Sequence, residues 1–467
     1  MNSISCDVLV VGAGLAGFTA AVRAAESGAK VVLIDKSVNE LGDGNVLMAS
    51  GSLRAGGMSP KNNPRELYDF VMAEGVGYPD LVRAWSATCG RAIDWLVGCG
   101  VGLDAKEPGR IWLDQESEIS LAPVYKKDVG RRALSKLRQR FVQLGGRYMN
   151  GIEAVSLIRE QERISGVAAK KQGEALEGRS GSTILSTGGF SANKEMVRQY
   201  IGPHADQCKL RGSKNCTGDG LRMALAVGAK TVNLKYFYGH LLSRKALTDD
   251  RFWPYPRLDA FVDEGILVDR NGHRFVDEGR GDVAVSNELA RTNDVTGATL
   301  IFDLTTWDAA KDDPFSKSVK TPAPNPWLVD NGGDILRHET IEGLAKEIGV
   351  DAATLAETVK QYNRAVESGT PRSLSVPRTG KPKPLMPSYY GLKVVPGITF
   401  TMGGVLVNGR CEALNIEEKP IPGLYAAGDT IGGLMGGYHG GYTGGLMQAL
   451  VTGILAGENA ARHIKLV

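Results

Sequence analysis

The run Cys6-Asp7-Val8-Leu9-Val10-Val11-Gly12-Ala13-Gly14-Leu15-Ala16-Gly17, followed by Val31-Val32-Leu33-Ile34-Asp35-Lys36, decides the fold of this chain. An apolar stretch of strand length ends in G-x-G-x-x-G. Residues 18–28 then read as an Ala-rich helix, and a second apolar stretch ends in an acid. Each part serves a dinucleotide. Gly12 allows the tight turn out of the strand, Gly14 lets backbone N–H groups approach a pyrophosphate, and Gly17 lets the helix pack closely on the sheet. The phosphates would sit at the helix N-terminus, where unpaired N–H groups and the helix dipole favour negative charge. Asp35, 18 residues after Gly17, is placed to accept from ribose hydroxyls. The motif by itself leaves open which dinucleotide is held.

Composition narrows the surroundings. With 467 residues the chain is long enough for two to three domains. Lys+Arg 55 against Asp+Glu 52 gives a net charge of +3, no case for nucleic acid or an anionic membrane surface. Six scattered cysteines form no C-x-x-C, which argues against a redox dithiol, an iron–sulfur site or attached haem, and no metal centre is expected. The first strand begins by residue 7, leaving no room for a signal peptide, and apolar stretches are short. A cytoplasmic protein without a membrane span is the expectation. Sixty glycines cluster in the first 60 residues, at 179–189 and at 403–457, as if backbone approaches a large ligand from several directions.

Helical periodicity runs over 64–99 and 129–145. Residues 154–158 and 164–169 read as a hairpin-like pair of strands, 182–190 as a strand entering a Gly-Gly turn, and 219–228 as a helix. Residues 237–399 are richer in Pro, Asp and aromatics and read as an inserted domain. A strand at 423–429 returns to the first domain, and a final helix spans about 445–461.

Six pieces in this order, the N-terminal G-x-G-x-x-G, T-G-G-F (187–190), T-G-D-G (217–220), G-x-R-F-V-D-E (272–278), T-M-G-G-V (401–405) and G-L-Y-A-A-G-D (423–429), resemble the fumarate reductase/succinate dehydrogenase flavoprotein superfamily, which also contains 3-ketosteroid dehydrogenases. The resemblance covers essentially the whole chain. It implies an α/β fold, a Rossmann-like FAD-binding domain (1–236 and 400–467) with an inserted α+β capping domain (237–399). The FAD shell it implies comprises Gly12, Gly14, Leu15, Ala16, Gly17, Asp35 and Lys36, then Gly44, Asn45, Ser50 and Gly51. Further along it includes Val155, Thr187, Gly188, Gly189, Asn215, Thr217 and Asp219, and finally Gly428, Asp429, Gly444, Gly445 and Leu446. Family members that attach FAD covalently use a histidine in the early glycine-rich loop. No histidine precedes His204, so non-covalent FAD is expected. Only one G-x-G-x-x-G exists and no haem or FMN module is visible, so electrons pass to or from an external acceptor or donor.

The superfamily moves a hydride between flavin N5 and the carbon β to an activating carbonyl or carboxyl, while a protein group handles the α-proton. His240 falls where the family has a substrate-facing histidine. Phe400 stands where fumarate reductases have another, and Asp282 holds the place of their catalytic arginine, with Arg280 two residues early. The segment 436–445 is instead similar to the Y-P-G-x-G of ketosteroid dehydrogenases. Tyr438 is the matching residue for polarising a keto oxygen, and His439 replaces the proline. Tyr236, Tyr238 and Tyr442 are candidates for the assisting base. Arg54, in the early glycine-rich loop, is placed to meet the pyrophosphate, a substrate carboxylate or solvent. The expectation is an FAD-dependent enzyme that desaturates a small-molecule ketone, a cyclic ketone or keto acid, next to its carbonyl. One alternative is fumarate-reductase-like reduction of an unsaturated acid with Arg280 as proton donor. Another is a non-catalytic flavin electron-transfer subunit.

Overall fold

Val8–Val11 fill the middle of a parallel sheet; all four residues are apolar and at most 4% exposed, as a strand covered on both faces requires. The computed structural model describes residues 2–104, 111–114, 129–314, 316 and 321–464. Strand Asn2–Val11 pairs in parallel with Val31–Ile34 on one side and Glu174–Leu185 on the other. Arg147–Met149 and Pro420–Ala426 extend the two edges, also in parallel. Helix Leu15–Glu26 covers the sheet and packs on the C-terminal helix Gly445–Ile464. The ends of the chain thereby build one layer.

The periodic stretch 64–99 is two helices, Pro64–Met72 and Pro79–Gly98. Each begins at a proline, which lacks the N–H an interior turn would need and is pre-set for a first turn. The Asn63 side chain caps the first by accepting the Arg65 N–H at 2.8 Å. The hairpin appears as Ile152–Glu160 against Arg163–Lys171.

A second sheet is organised on the long strand Tyr389–Thr401. Thr299–Asp303 and Ile335–His338 pair with its first half, and Phe237–Ser243 and Lys209–Leu210 with its second. Phe237–Ser243 and Tyr389–Thr401 are antiparallel neighbours, so the chain enters and leaves the intervening region on adjacent strands. That region has cores of its own, one built around the stacked rings of Phe261 and Phe302, 4.3 Å apart.

The G-x-R-F-V-D-E motif is structural. Glu278 is fully buried, accepts the Leu267 N–H at 2.8 Å and pairs with Arg274 at 2.5 Å, with Arg378 3.5 Å away. Removing the carboxylate would strand two buried guanidinium groups. Glu278→Ala should therefore cost about 3–5 kcal/mol, read from denaturant midpoints, and a loss below about 1 kcal/mol would refute this assignment.

Candidate active site

A cavity of ≈ 510 Å³ is lined at one end by the first glycine turn and at the other by the strand Phe237–Ser243. The glycine turn has the form its sequence demands. Gly12 has φ +103°, and a Cβ on Gly17 would lie 1.8 Å from the Gly12 carbonyl oxygen, so both positions exclude side chains. A Cβ on Gly14 would meet nothing within 4 Å. The helix that follows has no side-chain cap at Gly14, so its first N–H groups face the cavity end without a side-chain partner.

Asp35 braces this turn. Its Oδ2 accepts the Ala13 N–H at 2.6 Å and its Oδ1 accepts the Ser37 N–H at 2.7 Å. Burial nonetheless raises its pKa, with those two N–H groups opposing. Lys36 crosses to Thr217 Oγ1 (2.6 Å) and Asp219 Oδ2 (2.7 Å). Burial alone would raise the Asp219 pKa, but the Lys36 ammonium outweighs it and holds the carboxyl below its ordinary value.

Farther along the wall, burial pushes Asp429 up to about 7, opposed by a hydrogen bond from Asn45. Its Oδ1 is buried with no protein partner, and so is Oε1 of Gln448, whose amide donates to Gly428 O at 3.0 Å. An orphaned acceptor beside an open glycine turn at a helix N-terminus fits a ligand carrying phosphates at one end and hydroxyls at the other.

At the opposite end three aromatic rings meet. Tyr238 stacks on Tyr442 with centroids 4.0 Å apart and lies 5.2 Å from Phe400, its cross-strand partner. The Tyr238 hydroxyl is 2.9 Å from His240 Nε2; the two residues are two apart on one strand and so share a face. His240 Nδ1 lies 3.0 Å from Asp259 Oδ1 and also contacts Asp282 Oδ2. Asp259 and Asp282 are the first residues of helices Asp259–Glu264 and Asp282–Arg291, so two helix starts grip one imidazole. Carboxylates on the Nδ1 side assign the proton to Nδ1 and leave Nε2 to accept from tyrosine.

The two acids are not equivalent. Burial would raise the Asp259 pKa, but Arg257, 3.0 Å from its Oδ2, and His240 hold it low. Burial and the Asp259 charge raise Asp282. Burial also raises Tyr238 and Tyr442, so both remain neutral hydroxyls. The Tyr442 oxygen accepts the Gly445 N–H at 3.2 Å, which leaves its own O–H to donate.

Most of the sequence-predicted cofactor shell lines this cavity: the first turn, Asp35, Lys36, Gly44, Asn45, Ser50, Gly51, Thr187, Gly188, Asn215, Asp219, Gly428, Asp429, Gly445 and Leu446. Five expected members do not. Gly17 and Gly189 are packing positions, Gly189 pressed on Thr401; Gly444 is pressed on the Arg54 carbonyl; Thr217 is spent on Lys36. Val155 sits at a bulge in its strand and is 48% exposed, so the wall is formed by Ile152, Glu153 and Ala154 instead.

The catalytic expectations divide. Tyr238, His240 and Tyr442 line the cavity, whereas Tyr438, His439 and Arg280 do not. Tyr438 is 54% exposed beneath the Arg280 guanidinium, 4.0 Å from its ring centroid. Arg280 also bonds the Tyr438 carbonyl at 2.9 Å and pairs with Glu288 at 3.2 Å. His439 is turned to Glu74. The chain carries these residues past the site because successive glycines at 436–437 and 440–441 take positive φ and redirect it. Sequence reasoning passed over Arg211, Tyr255, Arg257 and Asp259, which also belong to the wall or to the His240 cluster. The one signal for the last three is a charged pair two apart in Pro254-Tyr255-Pro256-Arg257-Leu258-Asp259, where a helix starts.

Comparison with known proteins places the fold in a family. Residues 7–446 match the family model described as FAD binding domain. A fumarate reductase (cytochrome) of Shewanella frigidimarina is 30% identical over 474 residues, covering 98% of this chain and 77% of that protein. A urocanate reductase of Eggerthella lenta is 30% identical over 458 residues, covering 91% and 70%. Among solved structures, a 3-ketosteroid-Δ4-(5α)-dehydrogenase from Rhodococcus jostii RHA1 superposes with a TM-score of 0.73 at 22% identity, covering 98% of this chain and 97% of that one. No helix among the described residues is long and apolar enough to cross a membrane. The chain belongs to the FAD-binding-domain family, as an FAD-dependent enzyme of the fumarate reductase/succinate dehydrogenase flavoprotein superfamily.

Proposed function

We propose that the protein desaturates, or in reverse saturates, the carbon–carbon bond next to the carbonyl of a cyclic ketone or keto acid. The observation that carries this reading is the pair of stacked, neutral tyrosines at the cavity end, one backed by His240 and its carboxylates. The first glycine turn, Asp35 and Asp429 would hold FAD, which when bound would serve as the hydride acceptor.

The protein's own share is proton chemistry and orientation. The Tyr442 O–H donates to the substrate carbonyl oxygen and acidifies the α-hydrogen. The Tyr238 oxygen takes the α-proton while its own proton passes to His240 Nε2. A free tyrosinate is disfavoured by burial, and this concerted transfer avoids forming one. The imidazolium so formed is stabilised by Asp259 and Asp282, which also fix its ring. Aromatic walls from Phe400, Tyr255 and Trp112 suit a ring-bearing substrate.

A second reading, reduction of an unsaturated carboxylate, draws support from Arg54, Arg211 and Arg257 in the same wall and from the names of the reductase relatives. The arginine place of fumarate reductases is filled by Asp282, which weighs against a dicarboxylate. Anaerobic mixing with a panel of saturated cyclic ketones and keto acids separates the readings. Bleaching of the oxidised flavin by at least one member is the expected result. Rapid turnover of fumarate with reduced viologen, and no bleaching by any ketone, would overturn it.

A further inference from the structure

The carboxylates behind His240 continue outward. Asp259 opens helix Asp259–Glu264, and Asp263 follows at i+4, one turn along the same face. Asp259 is directed at His240 and Arg257, whereas Asp263 is exposed. Asp282 closes on the same imidazole from the next helix. Resting on the roles given above to Tyr238 and His240, we infer that Asp263 is the outer carboxylate of a proton path that connects solvent, through the Asp259–Asp282 pair and His240, to the Tyr238 hydroxyl.

The transfers balance. In the desaturating direction the β-carbon loses hydride, and with it two electrons, to the bound FAD. The α-carbon loses a proton to Tyr238 oxygen, and Tyr238 gives its own to His240 Nε2. The Nδ1 proton passes to the carboxyl pair and leaves by way of Asp263. Side chains at i and i+4 lie about 5–6 Å apart, a gap one bridging water spans. Saturation runs the same protons inward.

The groups around Asp263 suit this exit. The residue reaches solvent, but its carboxyl group is partly covered by neighbouring protein. That partial burial pushes it up to about 6, reinforced by Asp282, Asp259 and Glu264 and opposed by Arg378. Arg378 Nη2 also donates to the Asp263 carbonyl oxygen at 2.5 Å, and Lys383 pairs with Glu264 at 2.8 Å. A carboxyl titrating there exchanges protons with water efficiently near neutral pH. Desaturation needs Asp263 ionised, so its rate should fall as pH drops through about 6.

The test compares the FAD-loaded wild type with Asp263→Asn and Asp263→Glu. In Asp263→Asn, kcat should fall on the order of tenfold with KM unchanged, the acid limb near 6 should vanish, and added formate or imidazole should restore rate. Asp263→Glu should retain the wild-type profile. A second measurement needs no substrate. Carboxyl ¹³C NMR of the resting holoprotein should place Asp263 near 6, moving down in Asp282→Asn. An ordinary carboxylate titration for Asp263, or full turnover in Asp263→Asn, would overturn the path. If only an unsaturated carboxylate reacts, the ketone reading fails while the same variants still test the path, because saturation requires the same proton.

Discussion

Tyr238→Phe should lower turnover by about 10²–10⁴-fold while FAD stays bound, the range lost when a positioned proton-transfer group is removed. The substitution deletes one oxygen and little else. The phenyl ring keeps the stack on Tyr442 and the contact with Phe400, so the wall retains its shape. What disappears is the hydroxyl that stands 2.9 Å from His240 Nε2. Rapid-mixing flavin absorbance with a ketone active on the wild type reads the chemical step directly. The rate of bleaching should collapse while the spectrum of the bound flavin is unchanged. A rate within about threefold of wild type would remove Tyr238 from the reaction and return the question to Tyr442.

Gly14→Val should weaken FAD binding strongly and spare the fold. Gly14 has φ −77° and ψ −171°, extended backbone that any residue adopts, and a Cβ there meets no protein atom within 4 Å. The space belongs to the cavity, in front of the N–H groups of helix Leu15–Glu26. The added isopropyl group would fill it and hold phosphates away from those donors. The expected result is at least about 100-fold weaker FAD binding by fluorescence titration, about 2.7 kcal/mol, with an unchanged denaturation midpoint for the cofactor-free protein. Gly17→Val provides the contrast. Its Cβ would lie 1.8 Å from the Gly12 carbonyl oxygen, so it should unfold the turn itself. Wild-type affinity in Gly14→Val would refute the placing of the pyrophosphate at this turn.

These two variants fall on opposite sides of what the chain discloses when read as text. Gly12, Gly14, Gly17 and Asp35 were legible because a strand–turn–helix is local. The turn and the acid lie within one strand–turn–helix–strand unit, and the positive φ at Gly12 favours glycine there. That a side chain at Gly12 would also strike the Ser186 backbone of the neighbouring strand is not written in that unit. The helix boundary inside 64–99 was less legible, since apolar spacing continues across Gly75 and Gly77 and only the proline at 79 marks the restart.

The reacting end was legible only in part. Tyr238 and His240 announce themselves as alternate residues of one strand. Their partners arrive from two helix starts 19 and 42 residues away, and Tyr442 from the far end of the chain. Tyr438, four positions from Tyr442, has the family-like context yet faces solvent. Register in a glycine-rich segment cannot be counted from sequence, because each positive φ turns the next side chain elsewhere.

The sequence by itself determined a dinucleotide anchor, the parallel sheet that carries it and, through six ordered motifs, the flavin. Short-range sterics and periodicity govern those features, and both are written in adjacent residues. Only the tertiary structure decided which tyrosine meets the imidazole, that Asp282 serves His240 rather than standing as a lost arginine, and that Glu278 is a structural ion pair. Those outcomes depend on how two sheets and two helix starts converge, and on burial that raises or lowers each group according to the charges brought beside it.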